Sequence, residues 1–220
     1  MRRFQRVCSL TMPLNVIYKD ERLLVIDKPV GVLSVPGIGP EKRDSIATRA
    51  AAEIHGARIV HRLDRDTSGV MLLARDADAH RELSRQFHDR EVIKKYLAIV
   101  DGVVTGDSGR IDLPMRKDMD PRNAPRQVID HAEGRNAVTD WWVLERQADR
   151  TRLLLAPLTG RSHQLRLHLK VLGHPILGDD LYAPQRVLAM SDRLMLHAWT
   201  LAVKHPAGGA MMTFEAPPPF

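Results

Sequence analysis

His61-Arg62-Leu63-Asp64-Arg65-Asp66-Thr67-Ser68-Gly69 places five charged or ionisable side chains within its first six residues. Apolar runs lie on both sides, Ile59-Val60 before it and Val70-Met71-Leu72-Leu73-Ala74 after it. Both runs read as short buried strands. The polar middle is therefore a loop held between two anchors in the core, where binding and catalytic side chains are often found. The same pattern also fits a solvated turn whose Asp and Ser side chains cap the backbone. Spacing alone does not separate the two readings.

Working outward, residues 16–18 and 23–26 flank Lys19-Asp20-Glu21-Arg22 and predict a hairpin. Residues 28–37 hold Pro29, Gly31, Pro36 and Gly37, which excludes a central strand. Asp44 or Ser45 is placed to cap a helix ending near Gly56. Ala79, Leu83 and Phe87 recur at four-residue spacing, one apolar stripe on a charged helix. Residues 96–100, 138–144 and 153–155 read as strands, and residues 114–125 as a loop carrying Arg116, Lys117 and Arg122. A further helix is expected over about residues 161–172, with Leu165, Leu169 and Leu172 on one side and Gly173 as its stop. Strands and helices interleave irregularly. This predicts an α+β fold with a mixed, mostly antiparallel sheet.

The chain has 220 residues, 44% of them hydrophobic, enough for a sizeable core. A net charge of +6 favours a polyanionic partner without proving one. Cys8 is the only cysteine, which excludes an intramolecular disulfide and a Cys-rich metal cluster. No apolar run approaches the ~18 residues of a membrane span, and no signal peptide follows the basic start. A cytoplasmic protein is expected, with residues 1–13 as a basic tail and residues 14–220 as the catalytic domain. His163 and His168 are five apart, so on a helix they point about 140° away from each other. No HExxH spacing occurs, and Gly37-Ile38-Gly39 lacks a third glycine. Neither a metal nor a cofactor is expected.

Two more segments carry chemistry. In Leu158-Thr159-Gly160-Arg161-Ser162-His163-Gln164-Leu165-Arg166, a helix beginning at Thr159 or Gly160 puts Arg161 in its first turn. A cation there opposes the helix dipole by ~0.3–1 kcal/mol, which points to an acidic partner or to a solvated arginine. Lys94-Lys95-Tyr96 sets an aromatic ring beside cations. Such a ring stacks on a nucleobase while lysine meets phosphate, or it is an ordinary strand tyrosine.

These segments together resemble the RluA-type RNA pseudouridine synthases. Residues 61–69 match that family's HRLDxxTSG, and residues 159–166 match its TGRxHQxR. Lys28-Pro29-x-Gly31, Lys95-Tyr96 and His174-Pro175-Ile176-Leu177-Gly178-Asp179 match weaker signatures, in the family's order. Size and the Ser34-Val35-Pro36-Gly37 continuation are most similar to the small members acting on both 23S ribosomal RNA and tRNA. No separate S4-type RNA-binding domain is expected.

The resemblance implies a pseudouridine-synthase-like domain whose sheet lies in two lobes flanking a basic cleft. It implies that uridine is isomerised by breaking N1–C1′ and making C5–C1′. It assigns the essential role to Asp64, as a nucleophile at C6 or C1′ or as a base at C2′. It also implies that Arg62 fills the gap left by a flipped base, that Tyr96 stacks on that base, and that Arg161 pairs with Asp64. Leu154 or Leu155 is expected as an apolar wall, and Arg116, Lys117 and Arg122 as an RNA-reading loop. The expected partner is a ribosomal RNA or tRNA stem-loop, met by a monomer away from membranes. Two rivals remain at this stage. A nucleoside or glycoside hydrolase would use Asp64 and Asp66, about 6.6 Å apart if extended. A non-catalytic RNA-binding module would use the charge and Tyr96 alone.

Overall fold

The computed structural model describes residues 13–220, so the expected tail lies, up to residue 12, outside the described residues. The chain opens with the expected hairpin, β1 (Val16–Lys19) and β2 (Leu23–Lys28). Helix α1 (Ile46–Glu53) starts at Ser45, whose hydroxyl accepts the Thr48 N–H in a reciprocal capping box. β3 (Arg58–Ile59) and β4 (Ser68–Ala74) bracket the polar loop. α2 (Ala77–His88) follows, capped by Asp76. Next come β5 (Ile93–Asp101), β6 (Ser108–Asp112), β7 (Met115–Lys117) and β8 (Gln127–Ile129). β9 (Val138–Arg146), β10 (Arg150–Pro157), α3 (Gln164–Val171), α4 (Gln185–Leu188), β11 (Leu196–Lys204) and β12 (Met211–Glu215) complete the chain.

Ten strands form one sheet, in the path β1-β2-β4-β11-β5-β10-β9-β6, with β3 on β4 and β12 on β11. β7 and β8 pair separately. The fold is α+β and mostly antiparallel, and β4–β11 is the one parallel strand pair among the described residues. The expected two lobes are two halves of one continuous sheet. Period-two alternation builds the first half's core. Leu23, Val25, Val70 and Leu72 face α2 through Ala79 and Leu83, while Leu24, Ile26, Met71 and Leu73 face α1 through Ile46 and Ala50. Each such buried side chain is worth roughly 1.5–3 kcal/mol. In the second half, Val100, Leu153 and Leu155 pack on Leu165 and Leu169 of α3.

The halves meet at the β4–β11 seam, where His197 pairs with Ser68 and Ala198 with Gly69. Ser68 Oγ lies 2.8 Å from His197 Nδ1 across it. Gly69 has φ +112°, and a Cβ there would sit 2.1 Å from the Ala198 carbonyl oxygen. Only glycine fits at this position.

Three expectations change. The segment 114–125 is not simply a loop, since it contains β7. The helix expected from residue 161 begins at Gln164. β11 and β12 lie where no strand was expected.

Candidate active site

The polar loop is pinned on both sides of Asp64. Ser34 Oγ donates to the Leu63 carbonyl at 2.6 Å and accepts the Leu63 N–H at 3.0 Å. On the other side, the Arg65 carbonyl accepts from Lys28 Nζ at 2.9 Å and from the Gly31 N–H at 3.0 Å. Lys28 is fully buried, and its ammonium also donates to the Pro29 and Val32 carbonyls. Burial lowers Lys28 to about 8, although the Asp66 and Asp64 charges oppose that shift. The lysine–proline–glycine segment is thus a clamp for the Asp64 loop.

The loop opens onto a cleft of about 680 Å³ between the sheet halves, within the ~300–1,000 Å³ typical of small-ligand sites. Asp64 is the only carboxylate among the described residues that line it; the cations are Arg62, Arg90, Lys94, Arg135, Arg161 and Arg166. Its apolar walls include Leu63, Pro157, Leu165 and Leu196. The Asp64 carboxylate makes no hydrogen bond or ion pair among the described residues, while its backbone carbonyl accepts the Thr67 N–H. Tyr96 reaches the cleft from β5. Burial, reinforced by the Asp64 charge, pushes its phenol above the ordinary value, so it stays an O–H donor. His61 is not a proton shuttle. Burial holds it down to about 3, its Nε2 accepts the Leu72 N–H at 3.0 Å, and its ring stacks on Phe87.

The profile of the RNA pseudouridylate synthase family matches residues 22–170. The chain belongs to that family. It is an RNA pseudouridine synthase, an isomerase. It is 48% identical to the dual-specificity RNA pseudouridine synthase RluA of an Escherichia coli O6:H1 strain, over 94% of each chain. To the RluA of Haemophilus influenzae it is 48% identical over 92% of each. Human RNA pseudouridylate synthase domain containing 1 superposes with a TM-score of 0.79 at 29% identity, covering 94% of this chain and 84% of that one. No helix among the described residues is long and apolar enough to cross a membrane.

The synthase brings Arg62, Asp64, Tyr96 and Arg161 to one cleft. Arg161, however, does not pair with Asp64. Its Nε donates to the Asn136 carbonyl at 3.1 Å, and no ion pair joins it to Asp64. Nor does it lie in a first helical turn. His163 takes a left-handed conformation at φ 55°, and the Gln164 side chain folds back onto the Arg161 N–H and the Thr159 hydroxyl. Arg161 therefore does not oppose the dipole of α3 and needs no acidic partner on that account.

The guanidinium that feels Asp64 is Arg166, five residues further on, the third residue of α3 and 2% exposed. It is held on Asp179 through Nε at 2.8 Å and Nη2 at 2.6 Å. Despite burial, its partners Asp179 and Asp180 and the Asp64 charge push it above its ordinary value, so it stays ionised. Sequence reasoning passed over it as one more helix residue. The available signal was an arginine between Leu165 and Leu167, answered by Asp179-Asp180 after Gly178.

Leu154 does not line the cleft. It alternates with the buried Leu153 and Leu155 on β10, and Leu155 belongs to the core instead. Asp66 also stays out of the cleft lining and is engaged by Arg65 at 3.0 Å, which removes the carboxylate pair that a hydrolase needs. Arg116, Lys117 and Arg122 sit on and beside β7 rather than in the cleft. His163 meets Tyr182 and His168 meets Thr139, so the two histidines face different partners.

Proposed function

We propose that Asp64 is the catalytic carboxylate, acting on a uridine flipped out of a ribosomal RNA or tRNA stem-loop. The observation that carries this reading is a carboxylate, unpaired and alone of its kind among the described residues that line the cleft, whose other charged lining residues are cations. The relatives named dual-specificity RNA pseudouridine synthases support an RNA substrate of more than one kind. The cleft volume suits one extruded nucleotide and not a duplex.

In this reading, Asp64 attacks C6 or C1′, or removes the C2′ proton, while N1–C1′ breaks. The freed base turns, C5 bonds to the same C1′, any bond to Asp64 breaks or the C2′ proton is returned, and the proton lost from C5 is balanced by one gained at N1. Every atom of the substrate is retained. Tyr96, kept protonated, stacks on the base and donates its O–H. Arg62, exposed and without a carboxylate partner among the described residues, enters the space the base has left. Arg90, Lys94, Arg135 and Arg161 meet phosphates. The protein acts as a monomer in the cytoplasm, and residues 14–220 supply both the recognition and the chemistry.

The test uses RNA from a strain lacking this protein and maps pseudouridine after incubation. Wild type is expected to restore sites in short hairpin loops. Asp64→Ala and Asp64→Asn are expected to lose at least about 10³-fold in turnover with RNA affinity within threefold of wild type. Residual Asp64→Ala activity within tenfold of wild type overturns the assignment.

A further inference from the structure

Beyond the cleft, the turn at Gly178 delivers two consecutive carboxylates to the end of α3. Gly178 has φ +72°, and a Cβ there would lie 1.9 Å from the Arg193 carbonyl oxygen, so glycine is required. Asp179 is fully buried and accepts from four donors: Arg166 Nε and Nη2, and the N–H groups of Leu181 and Tyr182. Asp180 is half-exposed. Its Oδ1 accepts from Arg166 Nη2 at 2.8 Å, and its Oδ2 lies 3.9 Å from Arg65 Nη2. Arg65 is the chain neighbour of Asp64. Asp180 therefore reaches the loop that carries Asp64 and also the guanidinium that feels its charge. Tyr182 completes the mount. Its ring lies 5.4 Å from the Arg166 guanidinium carbon, and its hydroxyl accepts the Gln127 N–H and meets His163 Nδ1.

An arginine with free edges beside a carboxylate closes on it bidentately. Here Nε and Nη2 are occupied by Asp179 and Asp180, which leaves Nη1 without a partner among the described residues. We propose that Asp179 and Asp180 are positioning residues for the isomerisation: together they hold Arg166 and Arg65 so that Asp64 stays close to a fixed positive charge yet free to engage uridine. Neither carboxylate lines the cleft. The inference rests on the reading of Asp64 as the catalytic carboxylate.

The experiment measures single-turnover conversion and the Kd of an RNA stem-loop. Asp180→Asn, on a half-exposed side chain that leaves the core untouched, is expected to slow conversion about tenfold, the scale of a small misplacement, with Kd within twofold. Asp179→Asn is expected to cost more. In an Arg166→Gln background, Asp180→Asn should then change the rate by less than twofold, because a residue acting through Arg166 has nothing left to position. Loosened packing would raise Kd together with slowing conversion, so a rate loss at unchanged Kd separates positioning from a structural defect. A wild-type rate for Asp180→Asn, the same tenfold loss without Arg166, or a rate loss matched by an equal rise in Kd each overturn the proposal. If Asp179→Asn does not fold, the Asp180 measurements decide. An active Asp64→Ala overturns the underlying reading; an inactive one beside an unaffected Asp180→Asn overturns the positioning role alone.

Discussion

Beside β7, Arg116 donates to Asp130 at 2.5 Å and Arg122 grips Asp120 at 2.6 Å. Across the cleft, Arg62, Arg90, Arg135 and Arg161 reach no carboxylate among the described residues, and Lys94 meets only the Thr159 carbonyl at 3.4 Å. The residue types are the same and the bonding states are opposite. Several arginines elsewhere on the surface follow the β7 pattern, such as Arg110 with Asp140 and Arg186 with Asp101. A net charge of +6 is thus not spread evenly. Uncompensated cations gather where a phosphate chain would lie, which is the distribution that polyanion binding needs. In the segment beside β7, Lys117 alone of the three expected RNA contacts has no carboxylate partner among the described residues.

The sharpest probe of this contrast separates an anchored guanidinium from a free one. Arg166→Lys should lower the single-turnover rate about 10²-fold, because an ammonium does not span two carboxylates and face a third. Arg161→Lys keeps the charge of a cation held by one carbonyl and should stay within threefold. Next in size, the Arg90/Arg135/Arg161 triple alanine variant should reduce the slope of log Kd against log salt by about 2, at roughly 0.7 per lost phosphate contact. A smaller effect concerns pH. Burial, helped by the Arg90 charge, lowers Lys94 to about 8. Phosphate would raise it again, so binding takes up a proton above pH 8. Affinity should be full below that value and weaken about fivefold as pH rises beyond it. Lys94→Arg should remove the dependence, since guanidinium does not titrate there. Smallest of all, the Arg116/Lys117/Arg122 triple alanine variant should change the salt slope by no more than about 0.7, the contribution of Lys117. Equal slopes for the two triple variants would erase the distinction between cleft and hairpin.

Local signals carried much of the fold. The β1–β2 hairpin, the Ser45 cap, the α2 stripe and the strand at 138–146 all follow from neighbours within a few residues. β11 did not, because what defines it is pairing with residues 68–69 and 93–98. β7 hid among Pro114, Pro121 and Pro125, and only three of its residues pair. At the site, the motif positions were legible and the partnership was not. Choosing Arg161 over Arg166 turned on where α3 begins, and that is set by side-chain contacts of Gln164 and the left-handed His163. Lys28 and Ser34 stood in the sequence as motif letters. Their work, pinning Leu63 and Arg65, depends on contacts 29 and 37 residues away.

β11 also has a temporal meaning. Residues 16–74 contain the strands of one half of the sheet, and residues 93–157 contain β5, β6, β9 and β10 of the other. The strand between β4 and β5 comes from residues 196–204, synthesised after both halves. A ribosome emits about 5–20 residues per second, so both halves have several seconds to pair internally while the slot between them stands empty. Asp64 belongs to the first half, Tyr96 to the second, and Leu196 to the late strand. An interrupted chain would therefore carry both motif segments and no assembled cleft. The growing polypeptide would remain inert toward RNA until residues 196–204 have emerged.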